Sequence, residues 1–188
     1  MPILPKEPDV YPPDLLERAG ADEPCEATWW GLYTLARREK ELMRRLRAMH
    51  VPFYCPLVPR RSRTPKGRIC VSHVPLFASY VFLYGNHDDR RQALSTNCVA
   101  RCLPVVDASQ LIHDLRQIHQ LIESGAPILP ESRLHAGMRV RIRSGVLAGL
   151  EGVVIRRQGE ERLLVSVSFL QRGASALLED CQVERIDA

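Results

Sequence analysis

The sequence predicts an α+β protein in two parts: an α/β sandwich, then a linker and a small five-stranded β-barrel. Three observations predict it. From residue 28 to 123, aromatic and β-favouring runs alternate with amphipathic helical runs, an order that suits a sheet backed by helices. A stretch at 124–136 containing Gly125, Pro127 and Pro130 interrupts that order. Beyond it the apolar period drops to two residues, and short strand-like runs separated by glycines continue to the end, as in a sheet curled on itself.

Residues 1–24 hold six of the fourteen prolines and read as a mobile or loosely docked arm, with Leu15 and Leu16 as its only anchors. The body, residues 25–123, opens with the strand-like Thr28-Trp-Trp-Gly-Leu-Tyr-Thr-Leu35. Residues 37–49 follow as a helix, with Leu42, Met43, Leu46 and Met49 on one face and charge on the other. Pro52 ends it, and Phe53–Leu57 starts a second strand. Residues 58–74 form a hairpin around Thr64-Pro65-Lys66-Gly67, with proline and glycine where a type I turn favours them. Its tip carries Arg60, Arg61, Arg63, Lys66 and Arg68 with no acid among them. An aromatic strand spans 75–84, a short helix 88–95 and another strand 99–103. A helix over 109–123 places Leu111, Ile112, Leu115, Ile118, Leu121 and Ile122 on one face, and Gly125 closes it. The order is close to a split β-α-β sandwich.

Residues 124–136 read as a linker. In the last part, 137–188, Met138-Arg-Val-Arg-Ile-Arg143 alternates strictly, which places Met138, Val140 and Ile142 on one face. Gly145, Gly149 and Gly152 mark a turn where positive φ or close approach is wanted. Further strands are expected at 153–157, 163–170, 174–178 and 183–186.

The chain of 188 residues carries a formal net charge of +4. That length suits one medium domain or two small ones. Segment by segment the charge is −4 over residues 1–24, +7 over 25–123 and +1 over 124–188. The middle block is therefore the part suited to a polyanion. No apolar run reaches the roughly 20 residues that span a bilayer, and no secretory leader is legible, so a soluble cytoplasmic protein is expected. Cys25, Cys55, Cys70, Cys98, Cys102 and Cys181 form no C-x-x-C pair and lie away from histidines at zinc spacing. They read as small core residues rather than metal ligands. No nucleophile-plus-base pattern and no phosphate-binding glycine loop is present, so neither catalysis nor a cofactor is expected. Asp88-Asp89 and Glu160-Glu161 read as solvated loops rather than acid/base pairs.

Two motifs carry a family resemblance. Gly145-Val-Leu-Ala-Gly-Leu-Glu-Gly-Val-Val154 after the alternating strand resembles a KOW motif, the glycine-bearing barrel turn of NusG and several ribosomal proteins. Trp29-Trp30, the basic helix, Pro56 and Pro75-Leu-Phe-Ala-Ser-Tyr-Val-Phe82 resemble the N-terminal (NGN) domain of the NusG transcription factors, in the family's order and spacing. The resemblance covers residues 28–188. Where the family usually has proline-glycine before the tyrosine, this chain has Ala78-Ser79, and Cys98 stands where a glycine is usual. Such departures resemble specialised paralogues of the RfaH type.

The resemblance implies an NGN-like sandwich tethered to an SH3-like KOW barrel, in a monomer that binds bacterial RNA polymerase and suppresses pausing or termination. A hydrophobic cavity receiving the β′ clamp helices would be built from Trp29, Trp30, Tyr33, Pro56, Phe77 and Tyr80. Arg90 and Arg91 would face the β lobe, and the basic hairpin would lie by upstream DNA. The KOW domain would recruit a ribosomal small-subunit protein or Rho through Gly149, Leu150, Phe169, Leu170 and Arg172. The plainer alternative makes the aromatic rings core and the hairpin charge a guard against edge pairing. A second function is a ribosome- or RNA-associated KOW protein that does not bind polymerase.

Overall fold

A computed structural model describes residues 6–18, 27–63, 67, 69–133, 137–157, 159–178 and 181–186. Among them the fold is mixed α/β, with four helices and thirteen strands in three sheets, none closed into a barrel. The chain divides into two compact units, Met1–Ala108 and Ser109–Ala188.

The first unit contains β1 (Val10–Tyr11), α1 (Leu15–Arg18), β2 (Thr28–Thr34), α2 (Glu39–Ala48), β3 (Phe53–Tyr54), β4 (Leu57–Arg63), β5 (Ile69–Pro75), β6 (Tyr80–Gly85), α3 (His87–Ser95) and β7 (Val99–Pro104). Its main sheet has the order β1-β3-β6-β2-β7, with all pairs antiparallel. Side chains alternate along β2, so Trp30 and Leu32 point to the face that receives Leu42, Met43 and Leu46 of α2 and Ala93 of α3. Each such large apolar group contributes about 1.5–3 kcal/mol on burial. Helix α2 forms because its apolar residues recur at helical spacing. It ends at Ala48, ahead of His50, whose φ is +57°, and of Pro52. Helix α3 starts at Asn86, whose side chain accepts from the backbone N–H groups of Asp88 and Asp89 while Asp89 accepts from Asn86 N–H. This reciprocal cap satisfies donors that the first turn leaves open. Arg45 Nη1 donates to Thr96 O at 2.8 Å and ties the two helices together.

The described part of the N-terminal arm is docked rather than loose. β1 pairs with β3, Cys55 N donates to Asp9 O at 2.7 Å, and Leu15 and Leu16 are buried. Its prolines flank these short elements instead of interrupting them. Residues 1–5 and 19–26 of the arm and its junction, including Cys25, lie outside the described residues.

Ser79 has φ +66°. Its N–H donates at 2.7 Å to Oε1 of the buried Glu39, so a carboxylate holds a left-handed turn that serine adopts reluctantly. Ser79→Gly keeps the N–H and relieves the strain. It is expected to raise stability by roughly 0.5–1 kcal/mol, and a urea midpoint equal to or below wild type would contradict this account.

The second unit contains α4 (Ala108–Glu123, starting one residue earlier), β8 (Ile128–Glu131), β9 (Met138–Ile142), β10 (Glu151–Arg157), β11 (Glu160–Val167), a 3-10 turn at Ser168–Leu170, β12 (Arg172–Leu177) and β13 (Val183–Arg185). The five-stranded barrel is corrected to an open six-stranded sheet of order β13-β9-β10-β11-β12-β8. The added strand, β8, comes from the stretch read as a linker and pairs with β12, Gly173 opposite Glu131 and Ala176 opposite Ile128. Pro130 is tolerated there because an edge strand has one row of backbone groups without a partner strand. Met138, placed inward by the alternation, is exposed at the strand's start, while Val140 and Ile142 are buried. Helix α4, read as the end of the first part, belongs to the second unit. Residues 134–136 lie outside the described residues.

Buried polar groups fasten the late-added strand. Arg162 donates from Nε to Ser175 Oγ at 3.1 Å and from Nη2 to Ser175 O at 3.0 Å. Ser175 Oγ donates to Glu131 Oε1 at 2.7 Å, and Arg157 Nη1 reaches the same oxygen at 2.6 Å. A carboxylate on β8 thus bridges β12 and the end of β10, and its burial is compensated by two donors.

Candidate functional site

The six residues expected to form an open aromatic hollow are not exposed together. Trp29 is fully buried, Phe77 is 3% exposed, Trp30 is 8% exposed and Pro56 is buried. Trp29 and Trp30 do point to opposite faces of β2, but both faces are covered at that point. Of the expected rings, two remain accessible. Tyr33 is 39% exposed and Tyr80 is half-buried. They are directly opposed across β2 and β6, with ring centroids 5.2 Å apart in an edge-to-face arrangement. Across β7, the exposed Arg101 pairs with Tyr33, so a tyrosine–tyrosine–arginine row crosses three strands. Large rings with polar tips and a neighbouring guanidinium are the residue types that dominate interface energetics.

Arg90 and Arg91, expected to act together, are turned apart by one residue of helix. The Arg90 guanidinium lies over the Trp30 ring, 5.1 Å from its centroid, and the His87 ring packs edge-on against the same indole at 5.7 Å. Cation–π stacking of this kind contributes of order 1 kcal/mol. Burial pushes the Cys102 thiol pKa up, outweighing the opposing effect of the Arg90 guanidinium. Arg90 thus braces α3 against the sheet. Arg91 is exposed, with Asp88 at 3.3 Å.

The basic hairpin forms a two-stranded ribbon of β4 and β5 that pairs with no third strand among the described residues. Its root is fixed: Leu57 is buried in the α2 core, and Leu76 N donates to Pro56 O at 2.8 Å. Past the root, Arg60, Arg61 and Arg63 are exposed, and no described acid pairs with them. Lys66, Arg68 and the 64–66 turn lie outside the described residues, while Gly67 has φ +77°. Directly opposed pairs share a face, so Arg61 stands with Val71 and Arg63 with Ile69. Arg60 stands with Ser72 on the other face. Ile69 is 60% exposed and Val71 39%. Sequence reading of the charge missed this apolar companion.

In the second unit, Gly149 has φ +87° and Leu150 is fully buried, which removes Leu150 from any contact surface. Phe169 and Leu170 sit in the 3-10 turn rather than in a strand. Both side chains are half-buried, as is that of Arg172. Helix α4 engages the same region through polar side chains. Gln120 Nε2 donates to Ala148 O at 2.9 Å, Glu151 N to Gln117 Oε1 at 2.8 Å and Ser168 N to Asp114 Oδ2 at 2.7 Å. The positive φ is what favours glycine at 149; a β-carbon there would stand 3.1 Å from the flexible end of Gln120. Sequence reading also missed the open cleft of about 490 Å³ between β8 and β10, where Arg133, Arg156 and Arg157 surround Glu131. No local pattern marks it, because its members lie in a presumed linker and in β10, some twenty residues further on.

No helix among the described residues is long and apolar enough to cross a membrane. In comparison with known proteins, no family model and no curated sequence matches the chain.

Proposed function

We propose that this protein is a transcription elongation regulator of the NusG class. Its first unit holds RNA polymerase and lays a basic ribbon along the adjoining DNA. The observation that carries the reading is the β4–β5 ribbon: rooted in the core, joined by no further strand among the described residues and basic without an acid in its sequence. Like charges held on a rigid projection repel one another unless a polyanion neutralises them. The resemblance of residues 28–188 to the NGN and KOW modules supports polymerase as the other partner.

On this reading the accessible Tyr33–Tyr80 pair meets the protruding clamp helices, and the exposed Arg91 faces the lobe. A unit that contacts both jaws and the DNA binds the closed, elongating polymerase better than the open, paused one. That difference in affinity is what shifts the population. The second unit recruits a ribosomal small-subunit protein or Rho through the half-exposed Phe169, Leu170 and Arg172.

Tyr33→Ala with Tyr80→Ala tests the reading, because both rings are accessible and their loss leaves the core intact. Association with purified bacterial polymerase is expected to weaken roughly 30-fold or more, the effect of losing an aromatic hot spot, with thermal melting unchanged. Retention on polymerase equal to wild type would refute the contact. Failure of the wild-type protein to bind polymerase, together with binding to ribosomal subunits, would favour the ribosome- or RNA-associated function instead.

A further inference from the structure

We propose that the β4–β5 ribbon is a major-groove reader of B-form DNA, with Ile69 and Val71 contacting thymine methyl groups. The inference rests on the nucleic-acid reading above and says which face makes contact and with what. The two faces of the ribbon differ. On one, the Ser72 and Ser62 hydroxyls donate back to the ribbon's own carbonyls, Arg60 O at 3.4 Å and Cys70 O at 3.5 Å. On the other, two exposed β-branched side chains stand directly beside two exposed arginines, Val71 with Arg61 and Ile69 with Arg63.

Charge complementarity names the class of occupant. Arg60, Arg61 and Arg63 have no described acid to neutralise them, so the ribbon suits a polyanion rather than an apolar protein groove. The apolar pair then selects the groove. Isoleucine and valine add nothing to a phosphate contact, whereas covering an isoleucine that is 60% exposed with an apolar group is favourable. In duplex DNA the apolar groups on base edges are the C5-methyls of thymine, and they line the major groove. A two-stranded ribbon, about 5 Å between strands, fits a groove about 12 Å wide. The major groove of A-form RNA is deep and too narrow for side chains to read, and uracil has no such methyl. The geometry therefore aims Ile69 and Val71 at the groove floor, with Arg61 and Arg63 on the same face to reach its phosphate walls.

The test compares the full chain on two duplexes of identical sequence, one containing thymidine and one containing deoxyuridine in its place, by fluorescence anisotropy across a salt series. Wild type is expected to bind the thymidine duplex about fourfold more tightly for each methyl it covers. Ile69→Ser with Val71→Ser is expected to abolish that discrimination, with the salt slope unchanged because every phosphate-facing arginine remains. Both positions are exposed, and unchanged circular dichroism would show the variant folded. Equal wild-type affinity for the two duplexes, or tighter binding to single-stranded DNA or to an RNA duplex, overturns the inference while leaving nucleic-acid binding intact. No binding to any of these at low salt overturns the nucleic-acid reading itself.

Discussion

Trp29→Ala is expected to destabilise the first unit by about 3–5 kcal/mol, the range for deleting a large ring from a packed interior. The ring is fully buried and packs against Tyr84 with centroids 5.3 Å apart. Its neighbours on the same face of the sheet include the fully buried Phe82 and Tyr54. Little can collapse into the space it would leave, since strands on both sides are hydrogen-bonded in register. Trp29→Phe is expected to be far milder. The indole Nε1–H is buried with no acceptor among the described residues, so phenylalanine removes an uncompensated donor along with part of the ring. Urea unfolding of the pair distinguishes the two roles of this residue. A core ring shows a large loss for alanine and a small one for phenylalanine. An alanine variant that melts like wild type but no longer binds polymerase would show that Trp29 lines an open hollow after all. The same reasoning applies to Phe77, so substitutions there read out folding before they read out binding.

Reversing the charge of the ribbon, with Arg60, Arg61 and Arg63 each replaced by glutamate, is expected to lower affinity for duplex DNA by at least about 100-fold at low salt. Each arginine that neutralises a phosphate contributes roughly 0.9 to the slope of log affinity against log salt. Removing all three would flatten that slope by about 2–3, and the new carboxylates would repel the backbone besides. Because all three side chains are exposed and the ribbon is rooted elsewhere, through Leu57 and the Leu76–Pro56 hydrogen bond, melting is expected to hold. A salt slope identical to wild type would leave these arginines as solvated surface. The substitutions act on long-range attraction, whereas those at Ile69 and Val71 act on base-edge recognition, so the two sets separate steering from reading.

Elements with a strong local period were legible. The apolar spacing of α2 and α4 located those helices to within about two residues. The alternation in β9 placed Val140 and Ile142 in the interior. What was not legible depended on partners distant in sequence. Ile128-Leu-Pro-Glu131 contains a proline and only four residues, and nothing local says that Glu131 will meet Ser175 and Arg157. Without that strand the final segment read as a closed barrel. Val10–Tyr11 looked like part of a proline-rich arm because its partner, β3, lies over forty residues away. The burial of Trp29, Trp30 and Phe77 was not legible for a related reason. Composition shows that a strand is ring-rich, but whether a ring is accessible depends on what covers the sheet. The ribbon's charge was visible in the sequence, whereas its pairing of arginine with isoleucine needed the register of β4 on β5.

Helix α4 and strand β8 also set where the chain can be cut. A fragment begun at residue 137, where the alternating pattern starts, would strip the acceptors from Glu151 N and Ser168 N. It would also lay open the long edge of β12 to pairing with other chains. The self-contained piece of this half begins at the first turn of α4, so any attempt to express it alone has its natural start near residue 108.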